Sequence, residues 1–126
     1  MPAGRLTSGW STPFVWTHAS RTELVVIGRG HAVSYGLDGK ELWRLGGLTG
    51  QSTPSPVAAG GLLYLGTGSQ GETNRPMFAV RPGARGDISL AKGEEQNGFV
   101  AWMHPRASAY TSSPLVYRGR MYVVND

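Results

Sequence analysis

The sequence predicts an all-β chain of short strands, grouped into four-stranded antiparallel sheets, about two and a half of them. Three observations carry this. Chain-reversing residues are dense: Gly 19 and Pro 8 make up about a fifth of the 126 residues, against an average near 12% for the two together. That density leaves little room for long helices. Apolar residues, 40% of the chain, fall in short runs between these breakers and never approach the ~20 needed to span a membrane as a helix. Third, one pattern recurs along the chain.

The recurring pattern is a Ser/Thr-rich lead-in, a proline, an apolar pair, a turn and an apolar run. It appears at Ser11-Thr-Pro-Phe-Val15, Thr53-Pro-Ser-Pro-Val57 and Thr111-Ser-Ser-Pro-Leu-Val116. The runs that follow are Glu23–Ile27, Leu62–Leu65 and Met121–Val124. Within the first unit, strands are expected at Pro13–Trp16, Leu24–Ile27, Ala32–Tyr35 and Glu41–Leu45. The third of these alternates polar and apolar residues with period two. Asp38-Gly39-Lys40 separates the third and fourth strands, and Asp-Gly is a strong hairpin signal. The second unit repeats the order at Pro56–Ala59, Leu62–Leu65, Met77–Val80 and Val100–Met103. The third supplies two strands before the chain ends. Proline at the start of each first strand sits where a missing N–H costs least.

Four short strands recurring every 40–50 residues is the grammar of a β-propeller blade. One small sheet cannot cover both of its faces, so neighbours must stack on it. The expected blades span residues 10–46, 52–104 with an inserted loop at 84–99, and a partial blade at 110–126. The chain stops within an apolar run that reads as a strand, so it is expected to be part of a longer parent. Met1–Ser8 lacks the apolar stretch of a signal peptide.

The motif Tyr35-Gly-Leu-Asp38-Gly39-Lys40-Glu41-Leu42-Trp43 resembles the repeat of pyrroloquinoline-quinone (PQQ)-like β-propellers. This group includes quinoproteins and outer-membrane assembly lipoprotein-like propellers. The Ser/Thr-Pro lead-ins followed by Gly61-Leu-Leu-Tyr-Leu65 and Gly119-Arg-Met-Tyr-Val123 are similar to the family's first hairpin. The resemblance spans residues 10–126. It implies that Trp43 and Trp102 lie between adjacent blades and dock them, with Asp38 and Gly39 shaping the turn. It also suggests a bacterial, periplasmic or extracellular setting. The second unit departs from the pattern: Arg81-Pro-Gly83 replaces the Asp-turn-Gly-Lys element, and a polar, Gly-rich segment follows before the fourth strand.

The residues that could form catalytic motifs mostly fail to do so. Gly66-Thr-Gly-Ser-Gln-Gly71 has the spacing of a dinucleotide loop, but no helical pattern follows it. His18, His31 and His104 lack partners at metal-ligand spacing and read as surface or turn residues. No Gly-x-Ser-x-Gly elbow is present. Glu94 and Glu95 are adjacent and point apart in an extended chain. Cysteine is absent, which removes thiolate chemistry and the adjacent-cysteine ring of some quinoproteins. The ten arginines among twelve cations, net charge +4, are scattered rather than clustered, which argues against nucleic acid.

The expected function is a non-catalytic binding or assembly scaffold, with no catalytic, cofactor or metal residues assigned. The alternative is part of a PQQ-dependent dehydrogenase, with PQQ and calcium held by residues of the full-length parent. Expected partners are a protein or a second copy pairing through open blade edges, without a membrane span.

Overall fold

The computed structural model describes residues 9–50 and 52–125. The Met1–Ser8 stretch, Gln51 and Asp126 lie outside the described residues. Among the described residues the chain is all-β, with eleven strands and no helix.

The first sheet is a meander of β1 (Phe14–Thr17), β2 (Thr22–Ile27), β3 (His31–Gly36) and β4 (Glu41–Gly46). The second repeats it with β5 (Val57–Ala59), β6 (Leu62–Gly66), β7 (Met77–Val80) and β9 (Val100–His104). A terminal hairpin, β10 (Leu115–Tyr117) and β11 (Arg120–Tyr122), begins the pattern a third time. All of these pairings are antiparallel. The strands lie within one or two residues of their expected positions because proline and glycine mark nearly every boundary. Gly39, at φ 83°, takes the left-handed turn conformation that L-residues avoid.

Register makes the two sheets equivalent residue by residue. Ser34 pairs with Trp43, and Ala79 pairs with Trp102. A register shift follows immediately in both sheets, at Ser34/Tyr35 and at Ala79/Val80. Residues paired directly across strands share a face, so each sheet has a front face carrying its tryptophan and a back face. The front of the first sheet carries Trp16, Val25, Ile27, Ala32, Trp43 and Leu45, all buried. The back of the second carries Leu63, Leu65, Phe78 and Val80, also buried. These two sets form one hydrophobic cluster, so the sheets stack front to back.

The segment expected as a loop at 84–99 contains a strand. β8 (Gly86–Asp87) pairs in parallel with β4, placing Gly86 beside Trp43 and Asp87 beside Arg44. The first sheet therefore has five strands, in the order β1-β2-β3-β4-β8. Ala84 and Ile88 of this segment enter the shared core. Ile88 N–H donates to Arg44 O at 2.8 Å, and Gly46 N–H donates to Ser89 Oγ at 2.7 Å. The inserted segment is a strap across both units rather than a free excursion.

Candidate functional site

Two groupings stand out: a buried polar knot in the first sheet and an open aromatic cleft on the second. The knot follows from β2, where alternation places Glu23 on the same face as Val25 and Ile27. A carboxylate on a core face must find donors or lose its charge. Glu23 is fully buried and finds four. Trp43 Nε1–H donates to Oε1 at 2.6 Å and Ser34 Oγ–H at 2.9 Å. Arg21 Nε–H donates to Oε2 at 2.7 Å, and His18 Nε2 lies 3.0 Å from the same oxygen. Burial by itself pushes the Glu23 carboxyl up, but the bonds from His18, Trp43, Arg21 and Ser34 together outweigh it and hold it below the ordinary value.

Arg21 extends the knot between units, donating from Nη2 to Ala84 O at 2.6 Å. The first sheet is thus tied to the start of the strap. With both oxygens engaged by protein donors, the Glu23 carboxylate is occupied as a clamp. Sequence reasoning overlooked Glu23 and placed His18 in a solvated turn. The available signal was the shared parity of Glu23, Val25 and Ile27.

The expected site residues lie in different surroundings. Trp43 is fully buried in the inter-sheet core, and its N–H is committed to Glu23 within its own sheet. Asp38 Oδ1 accepts Lys40 N–H at 3.0 Å, closing the β3–β4 turn around Gly39. Trp102 holds the register position of Trp43 but remains 37% exposed. Its ring centroid lies 5.8 Å from that of Tyr64.

Trp102 and Tyr64 line a cleft of about 510 Å³ between the second sheet and the terminal hairpin. Val116, Met121, Arg118 and Arg120 line it from the hairpin side. Val116 and Met121 are paired across β10 and β11, so the hairpin turns its back face toward Trp102. That repeats, in part, the way the second sheet covers Trp43.

A polar ladder runs along the three units. Thr12 N–H donates to Ser55 Oγ at 3.4 Å, and Ser55 N–H donates to Ser113 Oγ at 2.9 Å. Each of these residues precedes the proline that opens its unit. The rungs join residues 43 and 58 apart, which are the spacings between those prolines.

Among the described residues, no three His, Asp or Glu side chains gather as a metal-ligand set. Among the described residues, likewise, no helix is long and apolar enough to cross a membrane. The Gly66–Gly71 motif starts at the last residue of β6 and runs into a loop, with no helix following it among the described residues. Its Thr67 is buried and accepts Thr49 N–H on Oγ1 at 2.9 Å. No protein-family model matches the chain, and no match was found among curated proteins.

Proposed function

We propose that the chain is part of a β-propeller of PQQ-like repeats and acts as a non-catalytic binding or assembly scaffold. The observation that carries this reading is the repetition of one inter-unit arrangement. A tryptophan-bearing front meets the apolar back of the next unit, with a pre-proline hydroxyl linking the two. Successive sheets related in this way suit a radial stack. The polar cluster around Glu23 is committed to internal bonds, and its role is to hold units together. The partly open surface is the Trp102 cleft, whose aromatic and arginine lining suits a protein partner, since Trp, Tyr and Arg dominate the energetics of protein interfaces.

The reading is tested by adding PQQ and Ca²⁺ to the chain and to its longer parent, then following thermal unfolding and dye-linked oxidation of alcohols and sugars. A scaffold gives no cofactor-dependent shift and no dye reduction. Cofactor-dependent turnover would identify a quinoprotein dehydrogenase and overturn the scaffold role. X-ray scattering from a parent carrying the flanking repeats tests the architecture separately. A disc supports a propeller, and an extended rod excludes it.

A further inference from the structure

We infer that Asn97 is a modification site and the latch of the strap. While the strap is docked, the Asn97 carboxamide is held out of reaction. Once the strap opens, cyclisation onto Gly98 and hydrolysis by water convert Asn97 to aspartate or isoaspartate, and the strap no longer closes. The inference rests on the docked strap and is independent of the family reading and of the scaffold role.

Asn97 joins the two ends of the strap. Its Nδ2–H donates to Ile88 O at 2.8 Å, on the residue whose own N–H donates to Arg44 O. Its Oδ1 accepts Phe99 N–H at 2.9 Å and Val100 N–H at 2.8 Å, at the start of β9. The Asn97 N–H donates to Val100 O at 2.9 Å. One residue thus ties the buried Ile88 to the strand that closes the second sheet. Arg81 Nη1 donates to Asn97 O at 3.1 Å, which steadies the backbone and leaves the carboxamide to its own three bonds.

Asn97 is also the only asparagine of the chain followed by glycine. Asn-Gly is the dipeptide most open to cyclisation, because no Cβ hinders the following backbone nitrogen. Gly98 is exposed, with open space where a Cβ would stand. In the reaction the Gly98 nitrogen attacks Asn97 Cγ and gives up its proton. A C–N bond forms, the Cγ–Nδ2 bond breaks, and ammonia leaves with that proton. Water then opens the cyclic imide at either carbonyl. Water is consumed and ammonia released, with no oxidation or reduction.

Docking opposes the attack, since three hydrogen bonds stop Cγ from turning toward the Gly98 nitrogen. The two amides on Oδ1 would stabilise charge there, and such a donor is worth about 10²–10³ in rate. Alignment of reacting groups is worth about 10⁵–10⁸, so the fixed orientation prevails. The product lacks the latch. Aspartate places an acceptor where Nδ2–H met Ile88 O, and two acceptors with no proton between them repel. Isoaspartate lengthens the main chain by a methylene and draws the N–H away from Val100 O.

The test ages the full chain at neutral pH and follows the amide-to-acid mass gain by peptide mapping. Asn97 should convert at least about tenfold more slowly in the folded chain than in urea, because only the open fraction reacts. Ile88→Ala loosens the strap and should raise the rate in the folded chain. Ser89→Ala, which removes the acceptor of Gly46 N–H, replaces it if circular dichroism shows that Ile88→Ala does not fold. Gly98→Ala should nearly stop conversion and leave the fold intact, since Gly98 has open space and lies outside the left-handed region. Hydrogen exchange reads the latch. In Asn97→Asp the Ile88 amide should exchange at least about tenfold faster while the amides of β2 stay protected. If Asn97→Asp does not fold, the converted fraction of the aged parent, separated by its added negative charge, gives the same reading. Equal conversion rates in the folded chain and in urea, or no gain in rate on loosening the strap, would overturn the inference. So would Ile88 protection that survives conversion or is lost only together with that of β2.

Discussion

Replacing Glu23 by Gln tests whether the polar knot holds the first two units together. Glutamine keeps the shape of the side chain but offers one acceptor oxygen in place of two. That oxygen can serve Trp43 and Ser34, or Arg21 and His18, but not both pairs. In either orientation Arg21 loses its counter-charge while its bond to Ala84 O persists, and in one of them the buried indole N–H of Trp43 is also left without an acceptor. Removing one partner of a buried charge pair costs about 3–5 kcal/mol. Total stability of a domain is about 5–15 kcal/mol, so this is a large share. At roughly 4 °C per kcal/mol, the expected fall in Tm is about 12–20 °C. Thermal unfolding followed by near-ultraviolet circular dichroism reads it. The control is Glu41→Gln, which breaks the surface pair between Glu41 Oε1 and Arg44 Nη2. Surface pairs are worth about 0–1 kcal/mol, so Tm should barely move. A Trp43→Phe cycle with Glu23→Gln should show a coupling of about 0.5–3 kcal/mol. If Glu23→Gln melts within roughly 3 °C of the parent, the knot is not a clamp.

Three further outcomes follow from the same structure. Ile88→Ala removes a buried side chain of the strap and should cost about 2–5 kcal/mol in urea unfolding; a surface loop would lose almost nothing. Ser113→Ala removes the acceptor of the 2.9 Å rung from Ser55 and should cost about 0.5–1.5 kcal/mol, with faster hydrogen exchange at the Ser55 amide. The third concerns acid. The Glu23 carboxyl is held below its ordinary value of 4.5 in the folded chain, so its stabilising contribution is present above that value. It disappears as pH falls through the lower folded value. Tm of the parent should drop on acidification below about 4.5, and Glu23→Gln should lack this component; identical slopes for the two would contradict the assignment.

Much of the fold was legible because its punctuation is local. Pro13, Pro56 and Pro114 mark the openings of three units, and Asp38-Gly39 marks a hairpin that the structure places between β3 and β4. β7 falls at Met77–Val80, the expected residues. β8 was not legible. Its two residues, Gly86 and Asp87, carry no alternation, and their partners Trp43 and Arg44 lie more than forty positions earlier. Such pairing is decided by tertiary packing of Ala84 and Ile88, which no short window reveals. The Glu23 knot was hidden for a related reason: its donors come from a turn and from the interiors of two further strands, and only register brings them together. Conversely, Trp43 and Trp102 look alike in sequence yet differ in exposure, because burial depends on how completely the following unit covers each.

The strap has a consequence for how the chain comes apart. In an ideal array of repeats each module leans only on its neighbours through similar contacts, so unfolding can begin at any junction. Here the second module reaches back to complete the rim of the first, adding a backbone link, buried apolar atoms and the arginine clamp at a single junction. The first two modules are therefore expected to unfold as one cooperative block. Cutting the chain between the modules would therefore damage the earlier one more than its own complete set of four strands suggests.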